Sequence, residues 1–170
     1  LSLANKTPIL VFDLDDTLYS KQQVFLTALN KCYPTFTTDI NVYQVYQENS
    51  EIAFELFTKG QITLEENHLS RVKGTLSALG LDSSRESVIR FKETYQYVMD
   101  HIELDKDWYH FFDKVSNHST LVLLTNGPTS HQSKKITYLG LAKWFDASRT
   151  VTYTHIRAHE TPEHLVCSLM

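Results

Sequence analysis

The chain has 170 residues, of which 42% are hydrophobic and 21% are charged, and its formal net charge is -4. This composition is that of a globular protein of one domain, or of one domain with an insertion, and it excludes a disordered or fibrous chain. The sequence has no basic tract and no apolar run of about 20 residues, so we expect neither a nucleic acid polymer nor a membrane as a partner. Cys32 and Cys167 form no CxxC pair, which favours a reduced, cytoplasmic protein.

The first predicted element is a strand at Pro8–Leu14, within the stretch ILVFDLDDTL. An apolar run without polar alternation is typical of a parallel strand that is buried on both faces. The run leads into three acidic residues within four positions, Asp13, Asp15 and Asp16. Because crowded like charges repel one another, this arrangement indicates a bound cation or a chemical role.

A helical segment is predicted next, at Ser20–Glu103, and a further helix at Lys106–Asn117. Thr63 and Glu66 have the spacing of a capping box, which predicts that one helix begins after Thr63. Apolar residues recur at helical steps of three and four in two runs: Leu69, Val72, Leu76 and Leu79, then Val88, Phe91, Tyr95, Val98 and Ile102.

A second buried strand is predicted at Ser119–Thr125, followed by Asn126 and Gly127. A helix is predicted at Thr129–Leu139, directly after a proline that suits the start of a helix. The segment Ala147–Tyr153 is rich in Thr and Val and predicts a third strand.

This order of strands and helices predicts an α/β fold with a mostly parallel sheet of about three strands. We expect residues 1–19 and 104–170 to form the α/β domain, and residues 20–103 to form an inserted helical domain.

The polar residues that follow the two strong strands predict the functional site. Asp13 and Asp15 come after the first strand, and Thr125 and Asn126 end the second. In open parallel sheets, ligands bind at the carboxyl ends of the strands. Carboxylates two positions apart on a strand point to the same side, so they can share a Mg²⁺ ion that also binds phosphate oxygens. One carboxylate can then attack phosphorus while the other protonates the leaving oxygen.

Four stretches together resemble the haloacid dehalogenase (HAD) superfamily, and within it the phosphatase branch. The sequence DLDDT at Asp13–Thr17 is similar to the first motif of that family, and LLTNG at Leu123–Gly127 is similar to the second. The sequences LGL at Leu139–Leu141 and WFD at Trp144–Asp146 match the stretch that usually follows. The resemblance implies a HAD-like Rossmannoid sheet domain with an inserted cap.

The inserted segment, residues 20–103, begins where that family places its C1-type cap. Within it, Val45–Phe57 and Lys59–Thr63 resemble the cap of pyrimidine 5'-nucleotidases. The likeness implies a small phosphorylated metabolite as the substrate, and a nucleoside monophosphate in particular.

The resemblance also implies a role for each site residue. Asp13 would be the nucleophile and a Mg²⁺ ligand, and Asp15 the general acid and base, with its backbone carbonyl on the metal. Thr125, Asn126 and Gly127 would bind the phosphoryl group. The family's dehalogenases lack the second acid, so Asp15 favours phosphate chemistry over carbon–halogen cleavage.

Two motifs of the family are not matched. The third motif is a lysine. In this chain His159, within the segment Ala158–Pro162, occupies the position of that lysine. A mostly neutral imidazole is a poor substitute for the charged ammonium group of lysine. Lys134 and Lys135 are the nearby lysines that could replace it. The fourth motif, an acidic pair after another strand, does not occur before Met170. The rival hypothesis is therefore a truncated, catalytically impaired relative, either a small-ligand binder or a non-functional fragment.

Without the strand that carries the fourth motif, the first strand would be a flat apolar sheet edge, which invites pairing with other chains. We therefore expect self-association through this strand.

Simpler interpretations of the site residues are also open. The acidic residues could form a solvated turn, and Thr125–Gly127 could be an ordinary strand-to-helix turn. A calcium loop is disfavoured, because Leu18 and Val24 stand where such a loop has Gly and Glu. Asp16 is expected to be a turn residue.

Two further groups of residues have competing interpretations. The histidines of the C-terminal segment suggest zinc weakly and exposed side chains more strongly: His155, His159 and His164. Four aromatic residues of the helical segment are expected in its core, with base stacking as the alternative: Tyr43, Tyr46, Phe54 and Phe57.

Overall fold

The computed structural model describes residues 7–153, with only the backbone described at Thr152 and Tyr153. Within this range the chain is an α/β protein with a three-stranded parallel sheet, which confirms the predicted fold class. Its strands are β1 at Ile9–Phe12, β2 at Thr120–Asn126 and β3 at Thr150–Tyr153. Its α-helices are α1 at Lys21–Cys32, α2 at Val42–Thr58, α3 at Leu64–Ala78, α4 at Arg85–Met99, α5 at Lys106–Val115 and α6 at Thr129–Tyr138. None of these helices has the length and apolar character needed to cross a bilayer.

The chain divides into two compact units at Tyr19/Ser20 and at Ile102/Glu103. The first unit contains the sheet with α5 and α6, and the second contains α1 to α4.

The sheet has the order β1-β2-β3, with both pairings parallel. Phe12 lies beside Leu123 and Asn126 beside Tyr153 in the register. Since the strands are parallel, their carboxyl ends lie at one edge of the sheet. The residues that follow β1 and β2 are therefore brought together at that edge, as the sequence predicts.

The first strand is shorter than predicted, because it ends at Phe12 and not at Leu14. The carbonyl of Leu14 accepts hydrogen bonds from the backbone N–H groups of Thr17 (3.4 Å) and Leu18 (3.0 Å), which closes a turn. Asp13 and Asp15 therefore lie in a loop, so the alternation of a strand does not fix their directions.

The third strand is also shorter than predicted. A 3₁₀ turn at Ala147–Arg149 occupies the first residues of the expected strand, and the Asp146 side chain caps it by accepting from the Ser148 N–H at 2.8 Å. The strand itself begins at Thr150.

An aromatic cluster packs β1 against α5 in the first unit. The ring of Phe12 meets four other rings nearly edge-on, with centroids 5.2–6.1 Å apart: Trp108, Phe111, Phe112 and Phe145. Phe112 is completely buried. Edge-to-face contacts of buried rings add stability beyond the area that they bury, so this cluster holds β1 and the loop that follows it in place.

The helical unit has its own apolar core. It contains Phe25, Ala28, Leu29, Val72, Leu76, Val88 and Phe91. The predicted capping box is confirmed, since the Thr63 N–H donates to Glu66 Oε2 (2.7 Å) and the Glu66 N–H donates to Thr63 Oγ1 (3.2 Å).

The aromatic residues of the helical unit divide into core and surface. Tyr46 stacks on Phe25 with centroids 4.5 Å apart, and Tyr43 also packs against this core, as predicted. Phe54 is 56% exposed, so the prediction of a core position is wrong for this residue. Its exposure was not evident from residue type alone.

The first strand forms a sheet edge within the described range. Among residues 7–153, β1 pairs only with β2, and Ile9 and Val11 are 66% and 50% exposed. Unpaired backbone groups and exposed apolar side chains are the features that promote pairing between chains.

Self-association through β1 therefore stays a prediction, and one substitution tests it. We expect Val11→Lys to shift the chain towards monomer in light scattering at high concentration, because a charged side chain on an edge strand opposes pairing. Val151→Lys on β3 is the matched control, since Val151 is equally exposed at 49%. A monomeric wild-type chain, or equal effects of the two substitutions, would contradict self-association through β1.

Candidate active site

Asp13 follows β1 directly and is exposed. Within residues 7–153, no hydrogen bond or ion pair joins its side chain to another residue. The carboxylate is therefore accessible to a cation or to a reacting atom.

Asp15 has a different environment, because two side chains donate to its Oδ1 atom. Lys135 Nζ lies 2.6 Å from Oδ1, and Tyr19 Oη donates to the same atom at 2.6 Å. The side chains of Lys135 and Asp15 are only 14% and 18% exposed. The backbones of Asp15 and Tyr19 also form an isolated parallel bridge. These contacts fix the orientation of the Asp15 side chain.

The structure separates the two lysines that the sequence left as alternatives. Lys135 lies beside Asp15, whereas Lys134 is exposed and forms no ion pair within residues 7–153. His159 and its neighbours, and with them His155 and His164, lie outside the described residues.

Thr125 lies at the carboxyl end of β2 and is completely buried. Its Oγ1 atom has no hydrogen-bond partner within the described part of the chain. A buried hydroxyl without a partner costs about 1–3 kcal/mol. This arrangement indicates a group that is completed by a ligand or by water.

Gln132 was not singled out from the sequence, yet it belongs to the same region. It is 2% exposed, and its Nε2 atom donates to the backbone carbonyl of Asn126 at 2.6 Å. Its Oε1 atom is buried without a partner within the described residues. Because residues three apart share a helix face, Gln132 and Lys135 both face the end of the sheet. That spacing, directly after the LLTNG stretch, was the signal available in the sequence.

Gly127 connects β2 to α6 in a conformation that requires glycine. Its φ is +136°, and a Cβ atom here would lie 2.5 Å from Gln132 Nε2. The absence of a side chain therefore allows the hydrogen bond between Gln132 and Asn126. The side chain of Asn126 is exposed at the same edge of the sheet.

The loop after β1, the end of β2 and the inner face of α6 thus form one region of the first unit. Within residues 7–153, no group of three or more His, Cys, Asp or Glu side chains is placed to hold a metal ion. The sequence-predicted carboxylates at this edge are those of Asp13 and Asp15.

No model of a protein family and no curated protein sequence matches this chain. Several solved structures do. A protein described as the HAD hydrolase YfnB from Bacillus subtilis, bound to magnesium, has a TM-score of 0.58 and 19% identity over 85% of this chain. A protein described as a β-phosphoglucomutase from Thermotoga maritima has a TM-score of 0.54 and 17% identity over 91% of it. The L-2-haloacid dehalogenase from Xanthobacter autotrophicus has a TM-score of 0.57 and 18% identity over 87% of it.

These similarities show that the chain has a HAD-like fold, as the resemblance of its motifs implies. The match covers 63%, 65% and 56% of those three proteins, so the chain spans less than two thirds of the length of each.

Gly127 gives a direct test of the packing between β2 and α6. We expect Gly127→Ala to lower the free energy of unfolding by about 1–3 kcal/mol, because the backbone conformation is strained for alanine and the new methyl group displaces Gln132. Gly140→Ala is the matched control, since Gly140 also has a positive φ (+64°) but a Cβ there meets no atom within 4 Å. Urea unfolding measures both. A loss at Gly127 no larger than that at Gly140 would contradict the contact with Gln132.

Proposed function

We propose that this chain is a Mg²⁺-dependent phosphomonoester hydrolase of HAD type, which acts on a small phosphorylated metabolite through an aspartyl-phosphate intermediate. The observation that carries the proposal is Thr125, whose buried hydroxyl has no partner within the described residues and lies at the sheet edge that also bears Asp13. A phosphate oxygen at this edge would satisfy that hydroxyl. The amino end of α6 begins just beyond it, and free backbone N–H groups at a helix start favour phosphate.

In the first step, Asp13 attacks phosphorus. A bond forms between its carboxylate oxygen and phosphorus while the bond from phosphorus to the ester oxygen breaks. The leaving oxygen takes a proton from Asp15, which begins the cycle protonated on Oδ2 while its Oδ1 atom accepts from Lys135 and Tyr19. In the second step, a water molecule gives a proton to Asp15 and attacks the aspartyl-phosphate. Inorganic phosphate leaves, and both carboxyl groups return to their starting forms.

The residues at this edge fit Mg²⁺ in their donor chemistry. The ion accepts one or two carboxylates together with water and phosphate oxygens. Asp13 has an accessible carboxylate, and Asp15 can contribute its backbone carbonyl while its side chain remains with Lys135. When bound, Mg²⁺ offsets the negative charge on the phosphoryl oxygens. The magnesium bound to the HAD hydrolase from Bacillus subtilis supports this choice of ion.

The choice of phosphate over a halogenated substrate rests on Asp15. A leaving ester oxygen needs a proton, whereas a leaving halide does not, so an acid at this position is useful only for phosphate esters.

A nucleoside monophosphate is our preferred substrate because Val45–Phe57 and Lys59–Thr63 resemble a pyrimidine nucleotidase cap. A cytoplasmic location and the absence of a nucleic acid polymer as a partner remain part of the proposal.

The nucleophile is tested by Asp13→Asn in hydrolysis of p-nitrophenyl phosphate with Mg²⁺. We expect the rate of hydrolysis to fall by at least about 10³-fold, because an amide side chain cannot form the aspartyl-phosphate intermediate. Asp16→Asn is the matched control in the same loop. Asp16 has a φ of 59°, and asparagine tolerates this left-handed conformation, so activity should persist.

Two outcomes would count against the proposal. An unchanged rate in Asp13→Asn would exclude Asp13 as the nucleophile. A wild-type chain that binds phosphate without turnover would favour the rival hypothesis of a small-ligand binder.

A further inference from the structure

Lys135 differs from Lys59 and Lys143, which also form ion pairs, in its burial. The ion pairs Lys59–Glu55 and Lys143–Asp113 have side chains that are 42–64% exposed, whereas Lys135 and Asp15 are 14% and 18% exposed. Removing two charges from water costs free energy, so a largely buried ion pair is weak evidence for stability. The sequence separation of 120 residues also shows that this pair is not a local helix contact. A role in the site explains it better than a role in folding.

The ammonium group of Lys135 is only partly used. It has three N–H donors, and within residues 7–153 its one hydrogen-bond acceptor is Asp15 Oδ1. The ring of Tyr19 lies 5.6 Å from Nζ and covers one side of the group without accepting a conventional hydrogen bond. Two donors therefore remain for an anionic ligand.

The helix that carries Lys135 is anchored at the place where such a ligand would bind. Gln132, one turn earlier on α6, is bonded to the carbonyl of Asn126, next to the orphan hydroxyl of Thr125. A positive charge and an unsatisfied hydroxyl thus lie on neighbouring segments of one sheet edge. This combination suits a tetrahedral oxyanion, which accepts several hydrogen bonds at once.

We propose that Lys135 is the phosphoryl-binding cation of this site, so that its ammonium bridges Asp15 and an oxygen of the bound phosphate. The inference rests on the proposed function, and it assigns the cationic role to a residue of α6, the helix that follows β2. Asp15 holds the ammonium in position before the ligand arrives, which reduces the entropy lost on binding.

Binding of inorganic phosphate in the presence of Mg²⁺, measured by calorimetry, tests the assignment. We expect Lys135→Ala to weaken phosphate binding about 10- to 100-fold, the effect of losing a charge-assisted hydrogen bond. Lys135→Met, which keeps the length of the side chain, should show the same loss. Lys135→Arg should recover part of the affinity, since it retains the charge but not the geometry. Lys134→Ala, the neighbouring lysine on the exposed face, should change affinity by less than about 2-fold.

Steady-state hydrolysis of p-nitrophenyl phosphate gives a second readout. We expect Lys135→Ala to raise KM more than it lowers kcat, because the lost interaction is already made with the bound substrate. Urea unfolding of each variant separates this effect from a loss of structure. If Lys135→Ala does not fold, the phosphate affinities of Lys135→Met and Lys135→Arg are compared instead. A higher affinity of the arginine variant supports the assignment of Lys135, and equal affinities contradict it.

The outcomes distinguish this inference from the proposed function. If the wild-type chain binds phosphate and hydrolyses the ester while both neutral variants keep their affinity, Lys135 is not the phosphoryl-binding cation, but the proposed function stands. If the wild-type chain binds phosphate without hydrolysis and the neutral variants lose that binding, the assignment of Lys135 holds and hydrolysis is excluded. A wild-type chain that binds no phosphate overturns both.

Discussion

The Lys135–Asp15 ion pair joins the loop after β1 to α6, the helix that follows β2. Since β1 and β2 are parallel neighbours, both segments leave the sheet at the same edge. The hydrogen bond from Gln132 to the Asn126 carbonyl holds α6 against the end of β2, and Gly127 makes room for it. The surroundings of Asp15 and Thr125 therefore depend on how α6 packs against the end of β2. A methyl group added at Gly127 would disturb this packing.

The groups that form this site contribute little to folding. Two buried polar atoms without partners within the described residues, Thr125 Oγ1 and Gln132 Oε1, each cost about 1–3 kcal/mol. The largely buried ion pair of Lys135 and Asp15 offsets little of that cost. The apolar contacts of the same unit supply the stability instead, and Phe12 lies at their centre with Phe112 completely buried beside it. Because Phe12 is the last residue of β1, the cluster that stabilises the unit also positions the loop that begins at Asp13.

The sequence predicted the features that depend on local patterns. Apolar runs indicated the strands, and the Thr63–Glu66 spacing indicated a helix start that the structure confirms. The end of β1 was missed because the turn at Leu14 is closed by backbone hydrogen bonds that any residues could form. The contact between Lys135 and Asp15 was not predicted: the sequence left Lys134 and Lys135 as alternatives for the third-motif lysine, and no periodicity specifies which lysine of a helix meets a loop 120 residues earlier. Gln132 was missed because a polar residue near a helix start is ordinarily exposed.

The three acidic residues that follow β1 lie in different environments, which explains how one short loop can hold three acidic side chains. Asp15 contacts Lys135 and Tyr19 through its Oδ1 atom, and Asp16 occupies a left-handed turn position at the surface. Asp13 is left with no charge partner within residues 7–153. In the proposed mechanism, the carboxylate that must attack phosphorus is thus the one without a charge partner in the described part of the chain. A hard cation and a phosphoryl group would arrive together at that position, because a single carboxylate binds Mg²⁺ weakly until phosphate oxygens complete its shell. In the proposed mechanism, this arrangement would link the binding of metal to the binding of substrate at Asp13, while Asp15 keeps its orientation through Lys135 and Tyr19.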